Sequence, residues 1–437
     1  MKRYTSVSVL LAAAISLAGC SWPAGKGTGG KPAATEQKEL TILMQDGTSA
    51  AVKNRIAALE KHAKLYEQAV PGVKVTIEKL AAPKGFAPAV QERLKSDKPA
   101  DLLFGGYDPL LIEQGALADL LPLFKADKLT TDDLYESLTA MATVKGKLIG
   151  IPMAPEPLAV YFNKDWFDKA GVPQPKGDWT WEQFFSAAIK LKAGNTVTGK
   201  ETYGSAIPFD LQLFESLAQS SGQSIVSPEG NRLSGYLNSK PVTDAVGLLL
   251  YHMNSSKASK VVSSGGAQIY NELSNQNVGM AIGQPVNYSL LGANPGLMSK
   301  IGVAPLPHME KGTRANALYF SAMSILSGSK QKEAAWKFVK DVILNSDNSA
   351  FQKDWGQQEL LTSKAAAQKT GQQRDPALSV FIGELSAGIK PAVYKNAALA
   401  SVSISEKRLV ASQSVAEALA ALTEMAEQID QHLMDKK

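Results

Sequence analysis

The body of the chain opens with a short apolar run, Leu40 to Met44, that reads as a buried strand. Val52, Ile56, Leu59, Ala63 and Tyr66 then recur at alternating spacings of four and three, one face of a helix. His62 falls off that stripe, which predicts a solvated side chain. Asp46 and Thr48 are candidate N-caps, and Pro71-Gly72 stops the helix. Val73, Val75 and Ile77 alternate with Lys74, Thr76 and Glu78, the period of a strand. A shorter helix is predicted over residues 87–96, and Asp101 to Phe104 is another buried strand, closed by Gly105-Gly106. This order of strands and helices implies a parallel sheet with right-handed crossovers. Open sheets of that kind bind ligands at the carboxyl ends of their strands, here Gln45-Asp46 and Gly105 to Asp108.

Further along, Thr180-Trp-Glu-Gln183 is a capping box that opens a helix running to about Lys192. Helices are predicted near 210–220, 241–253 and 333–344, and short strands over Gly279 to Ile282 and Ile301 to Ala304. Ser414-Val-Ala-Glu417 is a second capping box. It opens a final helix with Val415, Leu419, Leu422, Met425, Ile429 and Leu433 on one face. Trp179, Trp181 and Trp336 are assigned to packing.

Length and composition narrow the class. A chain of 437 residues suggests two or three domains. With 44% hydrophobic and 20% charged residues it has the make-up of a globular protein. The formal charge is +5, of which Lys2, Arg3, Lys26 and Lys31 supply four. The near-neutral remainder lacks the basic face that a nucleic-acid binder needs. The four histidines are scattered, with no metal-ligand spacing, and there is no G-x-S-x-G elbow. No cofactor and no metal are expected. A single cysteine, Cys20, excludes a disulfide scaffold.

Met1-Lys2-Arg3 followed by the apolar Val7 to Ala18 has the layout of a secretory signal peptide, and the run is too short to span a bilayer. Leu17-Ala-Gly-Cys20 resembles the bacterial lipobox, in which the cysteine becomes the lipidated first residue. Residues 1–19 are thus read as signal peptide, Cys20 as the lipidation site and 20–37 as a flexible tether. Gly25 to Lys31 imitates half a phosphate-binding loop, but Pro32 stands where Ser or Thr is needed and no strand precedes it. Lipid anchoring at the outer face of a bacterial cell membrane is the expected location.

From about residue 38 to the end, the chain resembles the extracellular solute-binding lipoproteins of ABC importers, in the cluster that includes maltose-binding protein. Leu65 to Glu78 (LYEQAVPGVKVTIE) resembles that family's helix, Pro-Gly, strand passage. Ala100 to Phe104 with Gly115-Ala-Leu-Ala-Asp119-Leu is similar to its next landmark. Lys145 to Pro152 (KGKLIGIP), then Leu158-Ala-Val-Tyr-Phe-Asn163-Lys-Asp165, is the most specific match. Val278-Gly-Met280, Pro305-Leu-Pro307 and Ala335-Trp-Lys-Phe338 follow in the family's order.

The resemblance implies an α/β, two-lobed, periplasmic-binding-protein-like fold with a hinge, its mixed or parallel sheets flanked by helices. The expected lobes are discontinuous: residues 38–153 with 322–370, and 154–321 with 371–437. It implies capture of a sugar-like solute between the lobes by hinge closure, and delivery to a membrane permease by a monomeric receptor. Asp108 and Glu156 correspond to family carboxylates facing the cleft. Asp108 before Pro109 is equally a turn residue, and Glu156 between two prolines equally a solvated loop charge. Gln45 and Asp46 join them from the first strand end.

Sugars present C–H faces that stack on rings. The stacking tryptophans of maltose-binding protein fall on Gly105, Val286 and Ala400, a departure that argues against a long maltodextrin. Tyr107, Phe209, Tyr288 and Tyr319 are the rings that could substitute, Tyr288 foremost, although buried aromatics mainly pack. The competing class is a secreted carbohydrate hydrolase that uses the cleft carboxylates, which would need two carboxyl groups about 5–10 Å apart.

Overall fold

The apolar run at Leu40 becomes strand β1, Lys38–Gln45, and the alternating segment becomes β2, Val73–Leu80. Helix α1, Ala50–Ala69, connects them. Its N-cap is Ser49, whose hydroxyl accepts from the Val52 amide, rather than Asp46 or Thr48. Helix α2, Phe86–Leu94, leads to β3, Leu102–Gly106. The computed structural model describes residues 38–435 apart from 99, 197–198, 263–265, 397 and 400–405. Cys20, the signal peptide, the tether and Ala400 lie outside the described residues.

Two five-stranded sheets form the two lobes. The first is ordered β2-β1-β3-β11-β4, where β4 is Ile151–Met153 and β11 is Ser321–Ile325. β1 runs parallel to β2 and β3, as the sequence predicts, whereas β11 is antiparallel to both β3 and β4. The second sheet is ordered β9-β5-β8-β6-β7: Ile301–Ala304, Ala159–Asn163, Val278–Gly283, Tyr203–Ile207 and Ser259–Val261. There β6, β7 and β8 are parallel, and β5 is antiparallel to β8 and β9.

Each sheet has its own core. Leu40, Ile42, Phe104, Ile151, Met323, Trp336 and Trp355 fill the first. Val160, Trp181, Phe184, Phe185, Ile207, Met280 and Leu422 fill the second. The Thr180 capping box forms, and its helix α3, Trp181–Gly194, packs on β6. Two expectations are corrected. His62 is buried, its ring edge-on to Phe351 and its Nε2 2.8 Å from Asp354 Oδ2. On the last helix, α8, Val415–Asp435, Val415 and Leu419 are exposed, while Ala418 and Ala421 face the core. Its neighbour α5, Lys240–Leu250, packs against it.

The chain passes between the sheets through short crossovers. Residues 154–158 separate β4 from β5. A second passage carries β10, Asn316–Ala317, and a third carries β12, Gly388–Ile389, which pairs in parallel with β10. The Asn316 side chain binds the last residue of the first passage twice: Oδ1 accepts from the Leu158 amide at 3.0 Å and Nδ2 donates to the Leu158 carbonyl at 2.8 Å. The three passages therefore lie side by side as one bonded ribbon.

Candidate functional site

Strand register locates the site. Ser321 pairs with Gly106 and with Met153, so the carboxyl ends of β1, β3 and β4 and the start of β11 share one edge. In the second sheet Gly283 pairs with Ala159 and Ala304 with Val160, so the carboxyl ends of β8 and β9 meet the start of β5. The parallel β6 ends on that edge too. Residues 154–158 join the two edges directly. The eight candidates from sequence all lie on these edges: Gln45, Asp46, Tyr107, Asp108, Glu156 and Tyr319 on the first, Phe209 and Tyr288 on the second.

Gln45 and Asp46 are exposed at the end of β1. The Asp46 amide bonds the Leu80 carbonyl, and its carboxylate accepts from the Gly47 amide at 2.9 Å. Asp108 is half-buried and N-caps the short helix Pro109–Glu113, accepting from the Leu110 amide at 2.9 Å. Burial raises its carboxyl above the ordinary range, opposed by the amides of Leu110 and Leu111. Its role as a turn residue before proline is thus on display.

Glu156 is held on three sides. Its carboxylate accepts from Arg55 Nη2 at 3.0 Å, its amide donates to the Tyr319 carbonyl at 2.9 Å, and its carbonyl accepts from Gln212 Nε2 at 2.6 Å. Arg55, from α1, also binds Glu359 through Nε at 2.6 Å. Burial raises the Glu359 carboxyl, and Arg55 opposes that rise. Gln212 stands on α4, Leu211–Ser220, which starts just past the end of β6. The same Nε2 reaches the Ala317 carbonyl at 2.9 Å, and its Oε1 accepts from Gln284 Nε2 at 2.9 Å.

The rings divide into two groups. Tyr107 packs against Tyr394 with centroids 4.5 Å apart, and against Phe320 at 5.8 Å. Tyr319 meets Tyr394 edge-on at 5.6 Å. Burial pushes the Tyr107 hydroxyl up to about 12, so it stays neutral. Lys390 Nζ stands 3.4 Å from that hydroxyl and 5.3 Å from the ring centre. On the second edge, Tyr288 lies on α6, Pro285–Gly292, and donates to Asp375 Oδ2 at 2.9 Å. Phe209 is 6% exposed and packs edge-on against Phe214 within the second core.

At Gly105, a Cβ would fall 2.3 Å from the Phe86 ring, so Phe86 fills the space that a side chain there would need. Val286 is half-buried on α6. Sequence reasoning passed over Arg55, Gln212, Gln284, Glu359, Lys390 and Tyr394. The strand-end rule, applied to β6 and β8, points to Gln212 and Gln284. The others come from the flank of a helix or from distant segments that only tertiary folding brings in. Among the described residues no cluster of histidine, cysteine and carboxylates is arranged to hold a metal. No described helix is long and apolar enough to cross a membrane.

Comparison with known proteins places this geometry. The family described as "Bacterial extracellular solute-binding protein" matches residues 50–367. A binding protein of Brucella abortus (strain 2308) is 30% identical over 223 residues, half of each chain. A maltooligosaccharide ABC transporter solute-binding lipoprotein of Streptococcus pneumoniae (strain ATCC BAA-255 / R6) is 30% identical over 170 residues, 38% of this chain and 36% of that one. The chain thus spans about half the length, or less, of these curated relatives. Among solved structures, the sugar-binding protein of Xanthomonas citri is similar with a TM-score of 0.74 at 17% identity, covering 91% of this chain and 98% of that one. An ABC substrate-binding protein of Listeria monocytogenes, in complex with cycloalternan, gives 0.70 at 21%, covering 90% and 98%.

Proposed function

The chain belongs to the bacterial extracellular solute-binding proteins, and from that membership we propose that it is the receptor of an ABC importer for a sugar-like solute. The observation that carries this reading is the register of the two sheets, which brings their carboxyl edges together across a ribbon of short crossovers. Polar groups and rings gather where a carbohydrate needs both. The Streptococcus relative named for maltooligosaccharides and the Listeria structure holding cycloalternan support a carbohydrate as the class.

In this reading the lobes are those expected from sequence, residues 38–153 with 322–370 and 154–321 with 371–437. Solute touches groups from both, and only such two-sided contact stabilises the closed form. Gln45, Asp46, Asp108 and Glu156 offer acceptors to sugar hydroxyls. Half-buried Tyr288 and Tyr319 offer ring edges or faces, and the buried Tyr107 and Phe209 support the two edges from beneath. The closed receptor docks on the permease as a monomer, anchored through lipid on Cys20 at the outer face of the cell membrane. The protein performs no chemistry on its solute. The family and the similar solved structures are substrate-binding proteins, which supports capture of the solute rather than its turnover.

A thermal-shift screen against sugars, sugar phosphates, polyols and small peptides tests the proposal. A ligand at a hundredfold excess over its Kd stabilises the folded state by about 2.7 kcal/mol. A shift with a carbohydrate that is recovered unchanged supports the receptor. Turnover of that carbohydrate would favour the hydrolase, and a response to peptides alone would overturn the solute class.

A further inference from the structure

The geometry points to an anionic carbohydrate as the solute, its carboxylate or phosphate received by Lys390; this rests on the reading of the cleft as the solute site. Lys390 follows β12 in the third crossover and reaches Tyr107, the residue just past the end of β3. It is half-buried, yet no carboxylate among the described residues lies within ion-pair distance of it. By contrast, Arg55 is neutralised by Glu156 and Glu359, Lys260 by Glu272 and Arg93 by Glu78.

The carboxylates on and around the ribbon are committed elsewhere. Glu156 and Glu359 serve Arg55, Glu384 accepts from Asn316, and Glu215 accepts from the Ala392 amide. Asp108 is turned to its helix amides. The hydroxyl beside Lys390 is neutral, so the ring attracts the ammonium without cancelling its charge. Burial and the like charge of Lys395 both push Lys390 below its ordinary range. A half-desolvated ammonium without a counter-ion is costly, and a ligand anion removes that cost on binding. Half-buried Tyr319, seated edge-on to the buried Tyr394, supplies the apolar surface on which the C–H face of a pyranose rests.

The test is calorimetric titration of the full chain with matched probes: glucose and galactose against glucuronate, galacturonate and glucose 6-phosphate. The expected result is tighter binding of an anionic probe than of its neutral counterpart. Lys390→Gln should weaken that probe about 10- to 100-fold, and Lys390→Arg should recover most of the loss. Uronates and the phosphate tell the two anions apart. A neutral sugar that binds as tightly as its charged counterpart would overturn the inference and leave the receptor intact. So would an anionic probe that binds equally well to Lys390→Gln. Failure of all five probes, with binding found instead for a non-carbohydrate, would overturn both readings together.

Discussion

Glu215 accepts a hydrogen bond from the Ala392 amide at 3.1 Å, while its second carboxylate oxygen is buried without a partner. Glu215 sits one turn along α4 from Gln212, and Ala392 lies in the third crossover just before Tyr394. A small, mainly apolar cavity with Leu211, Ile225, Val226 and Leu399 in its wall adjoins the pair. Burial raises the Glu215 carboxyl from 4.5 to about 8. The folded protein therefore keeps this proton where the unfolded chain has lost it. Stability from this group is full below about pH 4.5 and falls until about pH 8, at roughly 1.4 kcal/mol per pH unit. Glu215→Gln retains the acceptor for Ala392 and has no proton to lose. Melting curves at pH 6, 7 and 8 should show the variant gaining on the parent protein as pH rises; parallel curves would refute the assignment.

Arg55 joins α1 to the first crossover and to the segment after helix α7, Ser349–Gly356. Arg55→Leu leaves Glu359 buried without its cation, a loss of about 3–5 kcal/mol at neutral pH. The Glu359 carboxyl is already raised from 4.5 by burial and rises further when Arg55 is gone. Below its unfolded value the group is neutral in both states, and the penalty shrinks. Urea unfolding at pH 4.5 and 7 should give the larger difference at pH 7. Equal differences would mean that Glu359 is protonated throughout.

Asn316 staples two crossovers and also donates to Glu384 Oε2 at 2.8 Å. Asn316→Ala orphans the Leu158 amide and carbonyl in a buried place. A loss of about 2–4 kcal/mol is expected, read from the urea midpoint at unchanged slope. A change in slope would instead show that the ribbon is cooperative with only one of the lobes.

Gly204, in β6, faces the backbone of α3 so closely that a Cβ would lie 1.8 Å from the Ala188 carbonyl oxygen. Gly204→Ala must push helix from sheet and should cost about 1–3 kcal/mol or more. The measurement is the melting temperature of the variant, which should fall by several degrees.

How much of this was legible depended on sequence distance. The βαβ start was readable because Val52 to Tyr66 and Val73 to Ile77 carry their periods locally. The insertion of β11 between β3 and β4 was not, since its partners Phe104 and Ile151 lie far upstream. His62 defied its position on the helix because Asp354, 292 residues later, supplies a polar partner inside. Val415 and Leu419 misled for the opposite reason: apolar type alone does not say how near the next helix runs. The strand-end rule found Asp108 without naming what it binds. It could not find Arg55, Lys390 or Tyr394, which enter the same region from a helix flank and from the third crossover.

The strand order of the first sheet also dictates a timetable. β4 is complete by residue 153, yet the strand it pairs with, β11, is not made until residues 321–325. All five strands of the second sheet leave the ribosome before the first can close. A chain with such distant pairings folds slowly, and its early half stays pliable while synthesis continues.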